Sequence, residues 1–150
     1  MKREIDHHLG YNINIISHLI KNIYNEKLSE FGLTTAQAKV LYFLSDCGAQ
    51  TQSELQQRLY IKASSINGIL DSLLKKELIT KTSSAEDKRT KVIDISDKGK
   101  QLDNLVWNTI LEIENMVSEG FSESERATIM RWLHKMKANI QPVTAGREQQ

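Results

Sequence analysis

The segment from Leu9 to Phe31 carries Leu9, Ile13, Ile16, Ile20, Ile23, Leu28 and Phe31. The steps are mostly fours and threes, which draws one stripe along a helix. Gly32 ends it, in the manner of a left-handed cap. Thr34-x-x-Gln37 has the form of a capping box and opens a second helix, with Ala36, Val40, Leu41 and Leu44 on one side. Cys47-Gly48 stops it. Thr51-x-x-Glu54 is a second capping box, leading a short third helix through Leu55 and Leu59. After a break near Tyr60–Lys62, Ile66, Leu70, Leu73 and Leu74 predict a fourth helix ending around 75–77. The period then drops to two. ITKT (79–82) and VIDI (92–95), rich in β-branched residues, predict two short strands around the polar stretch Ser83 to Lys91. Ser96 can cap a long fifth helix bearing Leu102, Leu105, Val106, Ile110, Ile113, Met116 and Val117. Ser122-x-x-Glu125, a third capping box, opens a last helix with Ile129, Trp132, Leu133, Met136 and Ile140. The expected fold is mostly α with a small β-hairpin: four helices, a hairpin, two helices.

The first, fifth and sixth helices carry longer apolar stripes than a compact middle can cover. The surplus is expected at an interface, and a symmetric homodimer through these terminal helices is the natural form of it. At 150 residues the chain has the size of one ordinary domain. Cys47 is the only cysteine, so no internal disulfide is possible, which fits a reducing, cytoplasmic setting. MKREIDHHLGY has basic residues without a continuous apolar run behind them, so no leader peptide is expected. No stretch approaches the ~18 uninterrupted apolar residues of a membrane span. The only proline, Pro142, opens a segment, 141–150, expected to be a flexible tail.

Helix three, a short break and helix four read as a helix-turn-helix. The outward positions of helix four are Ser64, Ser65, Asn67, Gly68, Asp71 and Ser72, with Lys62 at the entry. A solvated helix face ordinarily carries long charged side chains and avoids glycine, which costs ~1 kcal/mol against alanine. Small residues suit a helix that enters a groove about 12 Å wide, where hydroxyls and amides bond phosphates or base edges. Serines at a helix start also sit where N–H groups and the dipole attract phosphate. The same serines would equally serve a helix start that only needs capping.

Charge points the same way as shape. The net charge is only +1, yet the segment from Arg58 to Lys91 holds eight basic residues against four acidic ones. The rest of the chain is therefore net negative, and basic charge gathers around helix four and the hairpin tip. A hairpin after a helix-turn-helix is a wing, whose tip can lie over the adjacent minor groove, where the negative potential favours arginine. A solvated, incidentally charged hairpin is the alternative.

The stretch TQSELQQRLYIKASSINGILDSLLKKELITKTSSAEDKRTKVIDISDKGKQL (51–102) resembles the multiple-antibiotic-resistance regulator (MarR) family of bacterial winged helix-turn-helix transcription factors. The resemblance rests on a Ser/Thr-rich recognition helix with Ser64 and Ser65, then Leu74 to Leu78-Ile79, then Asp87-Lys88-Arg89, then Ser96-Asp97-Lys98-Gly99-Lys100. The helix order extends it over about residues 5 to 140. It implies a single domain at 1–140, with the winged helix at about 34–96 and dimerisation helices at about 5–31 and 97–140. It implies a homodimer bound to a pseudo-palindromic double-stranded operator, as an effector-released repressor. Arg89 then enters the minor groove and Asp87 buttresses the wing. Ser64 and Ser65 take phosphate or base-edge roles on the Gly68-bearing face, Asn67 reads a base, and Lys62, Lys88 and Lys91 contact phosphate. Where the family often has glycine, after helix three and before the Leu-Ile pair, this chain has Tyr60 and Glu77, positions that call for positive φ. Lys81 stands where arginine is common.

Other chemistry is sparse. No nucleophile–base pattern, Gly-rich phosphate loop or Cys/His cluster appears, so neither an enzyme nor a cofactor is expected. His7, His8, His18 and His134 lack the i, i+4 spacing of a helical metal site. Cys47 is either an oxidant sensor or a small apolar residue. The family often holds a small aromatic or phenolic effector beside the dimer helices, and His18, Tyr24, Tyr42 and Trp107 are the candidate lining. A winged helix that contacts protein without DNA is the rival function.

Overall fold

The computed structural model describes residues 2–145. The chain divides into two compact units, Met1–Ile113 and Glu114–Gln150. The first opens with a 3-10 turn, Ile5–His7. It continues through α1 (Leu9–Ser29), α2 (Thr35–Cys47), β1 (Gln50–Thr51), α3 (Gln52–Leu59), α4 (Ala63–Lys75), β2 (Ile79–Ser83) and β3 (Lys91–Ile95) into α5 (Asp97–Val117). The second holds the end of α5 and α6 (Glu123–Ala145). Helix α6 runs on through Pro142, past the point where the sequence suggests a tail. Residues 146–150 of that tail lie outside the described residues. Among the described residues no helix is long and apolar enough to cross a membrane.

Local signals act where they stand. At Thr34 and Thr51 the hydroxyl accepts from the N–H three residues on, while Gln37 and Glu54 reach back to the capping N–H. Ser122 and Glu125 make the same reciprocal pair at 3.2 and 3.4 Å. Each such cap is worth about 1 kcal/mol. Gly32 and Gly48 end α1 and α2 at φ 69° and 79°. The sheet has one strand more than the sequence pattern predicts. β1 pairs antiparallel with β3, Gln50 opposite Ile93, and gives the order β1-β3-β2. Two residues are too short a run to show alternation.

The core lies between α2, α3, α4 and the sheet. Val40, Leu41, Leu44, Leu55, Ile66, Leu70, Leu73 and Ile93 are fully buried, and Leu28 and Val106 join them from α1 and α5. Only the C-terminal end of α1 takes part. Leu9, Ile13, Ile16 and Leu19, further along the same helix, remain exposed. In α6, Met130, Trp132, Leu133 and Ile140 are exposed as well.

The junction of α4, the wing and α5 is closely packed. Glu77 turns the chain out of α4 at φ 59°, a left-handed conformation costly for any residue with a Cβ. Ser96 holds that turn from the far side of the hairpin. Its hydroxyl donates to the Glu77 carbonyl at 2.7 Å, and its N–H donates to the Leu78 carbonyl at 3.0 Å. The same hydroxyl accepts the Gly99 N–H at 3.0 Å and so caps α5. Gly99 lies flat against this knot. A Cβ there would fall well inside van der Waals contact distance of the Leu78 carbonyl oxygen and 2.7 Å from Ile95 Cγ1.

Asp103 is the one buried carboxylate among the described residues, on α5 against the end of α2. Burial raises its pKa above the usual carboxylate value; a hydrogen bond from Ser45 pulls it back and the neighbouring Asp46 pushes it up again. A carboxyl whose folded pKa is raised binds its proton more tightly when folded. Its contribution to stability is full below the unfolded pKa and is lost as pH rises through the folded one.

Three stability outcomes follow from these contacts. Gly99→Ala should cost ~2–3 kcal/mol in urea unfolding, because neither backbone nor core can give way cheaply. Glu77→Gly should add ~0.5–1 kcal/mol by relieving the left-handed turn. Asp103→Asn should melt above the parent at neutral pH, with the gap closing as pH falls below the ordinary carboxylate range. A gap independent of pH would remove Asp103 as its source.

Candidate nucleic-acid interface

Helix α3 ends at Leu59, and Tyr60 takes the left-handed conformation at φ 54°, so the break has the geometry that glycine would otherwise supply. Helix α4 then begins with Lys62 as its N-cap. No side chain caps it. The serines of its first turn do not serve the helix: the Ser64 and Ser65 hydroxyls are exposed and have no partner among the described residues. Capping therefore does not account for them. The Ser65 N–H donates to the Lys62 carbonyl at 3.0 Å, while the Ala63 and Ser64 N–H groups stay available to an outside acceptor, on the positive end of the helix dipole.

One turn on, Asn67 and Gly68 are exposed. Nothing lies within 4 Å of a Cβ built on Gly68, and its φ is not positive. Neither backbone nor packing asks for glycine here, and alanine would make the helix ~1 kcal/mol more stable. A requirement from outside the chain, such as close approach of another molecule, explains it. Asp71 is exposed a turn further along. Ser72, expected on the outward face, is half-buried instead and accepts a 3.0 Å hydrogen bond from Gln37 Nε2. It belongs to the α2–α4 contact, beside buried Leu73.

The wing tip is a built turn. The Asp87 carboxylate accepts the Arg89 N–H at 2.9 Å and the Thr90 hydroxyl at 3.4 Å, while Thr90 N–H donates to the Asp87 carbonyl at 3.0 Å. Ser84 N–H to the Thr90 carbonyl, at 2.8 Å, closes the loop. Asp87 thus spends its oxygens on the backbone and hydroxyl of the turn, not on an arginine guanidinium. The Lys88 and Arg89 side chains stand exposed with no partner among the described residues. Lys91 is exposed too, but its ammonium reaches across the hairpin to Ser83 Oγ at 3.0 Å.

The basic surplus of this segment is less concentrated than the sequence count implies. Arg58 donates to Gln50 Oε1 at 2.6 Å and lies over the Phe43 ring, 5.7 Å from its centroid. The Lys76 ammonium is tied to the Gly32 carbonyl at the end of α1. Lys62, Lys75, Lys81, Lys88 and Arg89 remain as exposed, uncommitted cations around α4 and the wing.

Of the four candidate effector-lining residues, Tyr42 and Trp107 come together, stacked at 5.4 Å with planes 11° apart. Tyr24 is half-buried against the core. His18 lies on the exposed part of α1, its ring 3.4 Å from Asn22 of the same helix. Cys47 is exposed at the end of α2, so it is not the small core residue that a lone cysteine usually is. Among the described residues no group of three His, Cys, Asp or Glu could hold a metal ion.

One polar contact escapes sequence reading. Gln52, the first residue of α3, donates from Nε2 to Asn67 Oδ1 at 2.6 Å and so bridges the two helices of the motif. The residues are fifteen apart, and only the crossing of α3 and α4 brings them together.

Residues 33–91 match the model of the MarR family. The chain is 26% identical over 122 residues to YwoH, an uncharacterized HTH-type transcriptional regulator of Bacillus subtilis (strain 168), covering 81% of this chain and 88% of the relative. It is 24% identical over 128 residues to the HTH-type transcriptional repressor NicR of Pseudomonas putida, covering 81% of each. Among solved structures, that of S. aureus MepR in complex with DNA superimposes with a TM-score of 0.81 at 27% identity, over 88% of this chain and 98% of MepR. The matched segment runs from the start of α2 to the start of β3, and the relatives carry the likeness over most of the remaining length: residues 33–91 of this protein form a MarR-family domain.

Proposed function

We propose that this chain is a sequence-specific transcriptional regulator that binds double-stranded DNA as a homodimer on a pseudo-palindromic operator. The observation that carries the reading is the outward face of α4: an uncapped helix start, two unpartnered serine hydroxyls and a glycine that the fold does not need. That face is suited to the major groove, with Ser64 and Ser65 at phosphate or base edges and Asn67 at a base. Arg89, held out by the Asp87 turn, enters the adjacent minor groove, and Lys62, Lys88 and Lys91 meet phosphates. Lys91 would exchange its bond to Ser83 for that contact.

Dimerisation is supported by the exposed apolar side chains of α1 and of α6, each in its own helix more extensive than an ordinary solvated face. The division into a winged helix at about 34–96 and dimerisation helices at either end of 1–140 belongs to this proposal. Two recognition helices would then enter successive major grooves about 10 bp apart. The likeness to NicR, a repressor by name, favours repression, in the bacterial cytoplasm where the chromosome lies. A small aromatic or phenolic effector would release the operator by favouring a dimer whose helices miss that spacing. The stacked Tyr42 and Trp107 rings offer such a molecule a surface.

A gel shift against random duplex at low salt, repeated as salt is raised, tests the reading. Binding that weakens linearly on a log–log plot is expected. Absence of binding, or binding indifferent to salt, would instead favour a winged helix that contacts protein. Arg89→Ala should weaken operator binding by ~1–3 kcal/mol and leave dimer and melting temperature as they are. Full affinity in that variant would remove Arg89 from the interface.

A further inference from the structure

We infer that Tyr60 is a contact to the DNA backbone, its phenol hydroxyl donating to a phosphate oxygen of the strand that runs past the start of α4. The inference rests on the reading of α4 as the recognition helix and adds to it a residue of the preceding turn.

Helices α1, α3 and α4 close in the same way. After α1, Gly32 and Leu33 donate to the carbonyls of Ser29 and Leu28 at 3.0 and 3.1 Å. After α3, Tyr60 and Ile61 donate to those of Gln57 and Gln56 at 3.2 and 3.4 Å. After α4, Glu77 and Leu78 donate to those of Leu74 and Leu73, both at 3.0 Å. In such a closure the first residue past the helix is left-handed and the next turns back onto the core. Leu33 and Leu78 are buried, and Ile61 packs against the core. The left-handed residue of the first closure is glycine, at φ 69°. That of the third, Glu77, is held by Ser96 on its carbonyl. That of the second is Tyr60, at φ 54° and 82% exposed.

Tyr60 thus joins a backbone conformation that penalises its Cβ to a side chain that packing scarcely rewards. Glycine would fill the position at lower cost. A single exposed aromatic residue is ordinary, but one held in a costly conformation points to a use. Its place in the chain supplies the use. Lys62, exposed at the N-cap of α4, follows two residues later, and the open Ala63 and Ser64 N–H groups come next. Three residues of chain keep the Tyr60 and Ala63 Cα atoms within about 11 Å. A phosphodiester strand docked on those N–H groups therefore passes within reach of an outward tyrosine. Tyrosine hydroxyls are among the groups that bond DNA phosphates, and a bond to an ionised oxygen is charge-assisted.

A neutral phosphate ligand has a signature of its own. It releases no counterion, so its loss lowers affinity and leaves the salt dependence as it was, whereas loss of a lysine contact makes the log–log slope shallower. It reads no base, so its loss is equal on all sequences.

Binding of the full chain as parent, Tyr60→Phe and Tyr60→Gly is measured over a range of salt, on the sequence the parent selects from a randomised duplex library and on random duplex. Melting temperatures are taken alongside. Tyr60→Phe, which leaves the turn as it is, should lose roughly tenfold in affinity on both duplexes, and Tyr60→Gly at least as much, with the parent's salt slope in each. Tyr60→Gly should nonetheless melt about 1–4 °C above the parent, because the left-handed turn is relieved. Parental affinity in Tyr60→Phe overturns the inference and leaves the DNA-binding reading intact. So does a loss confined to the selected sequence, a shallower salt slope, or a Tyr60→Gly that melts below the parent, since the ring would then serve the fold. A parent that binds neither duplex overturns both.

Discussion

The relative placing of recognition helix, wing and α5 depends on one knot of main chain. Helix α4 closes with the Leu78 N–H donating to the Leu73 carbonyl at 3.0 Å, and the chain turns at Glu77. Ser96, nineteen residues later, binds both carbonyls of that turn and caps α5 with the same hydroxyl. The exit of α4, the base of the hairpin and the entry of α5 thus share one set of hydrogen bonds. Gly99 permits the approach, since any side chain there would hold α5 off the turn. Conformational freedom in the hairpin base or in the start of α5 would be passed to α4. The knot keeps the recognition surface at a fixed attitude to the helix that leads away from it.

Against that rigid frame, the way the winged part distributes its caps is informative. α2 and α3 begin with full capping boxes, and α5 has Ser96. α4, in the middle of the same compact unit, begins with a lysine and no cap. A serine or threonine at its N-cap would stabilise the helix by about 1 kcal/mol, and alanine for Gly68 would add a similar amount. Both are forgone on the same exposed face. Stability is given up on the face that the proposed reading lays in the groove, while the inward face is packed with Ile66, Leu70 and Leu73.

The legible part of this fold was the part written in local pattern. Three capping boxes, the glycine stops and the change of period from helix to strand each depend on residues within a few positions of one another, and each is found where the pattern puts it. The positive φ at Tyr60 and Glu77 was legible for the same reason, because a tight turn leaves few conformations open. What escaped depended on partners far along the chain. β1 exists because Gln50 and Thr51 meet β3, not because two residues favour a strand. Ser72 looks like an outward serine until Gln37 is seen opposite it. Gln52 looks like an ordinary polar helix residue until α3 crosses α4. Whether Arg58 and Lys76 are free to meet phosphate is decided by Gln50, Phe43 and Gly32, none of which a count of charges records.

That last correction bears on how the surface works. With a net charge of +1, the chain has little long-range field to draw it toward a polyanion. Salt confines what field there is to about 8–10 Å, so only cations near the contact matter. Those left uncommitted are few: Lys62 at the entry of α4, Lys75 at its end, Lys81 on the first wing strand, and Lys88 and Arg89 at the tip. On the proposed reading they flank the contact with DNA rather than cover it. Between them lie short neutral groups, which hold a duplex only when the helix seats fully in the groove. On the proposed reading, such a surface takes its salt-dependent hold from these few phosphate contacts and its selectivity from the fit of the neutral groups. Its hold on a duplex then varies steeply with the spacing of the two helices in a dimer, which is the property a regulator needs if a change of shape is to release it.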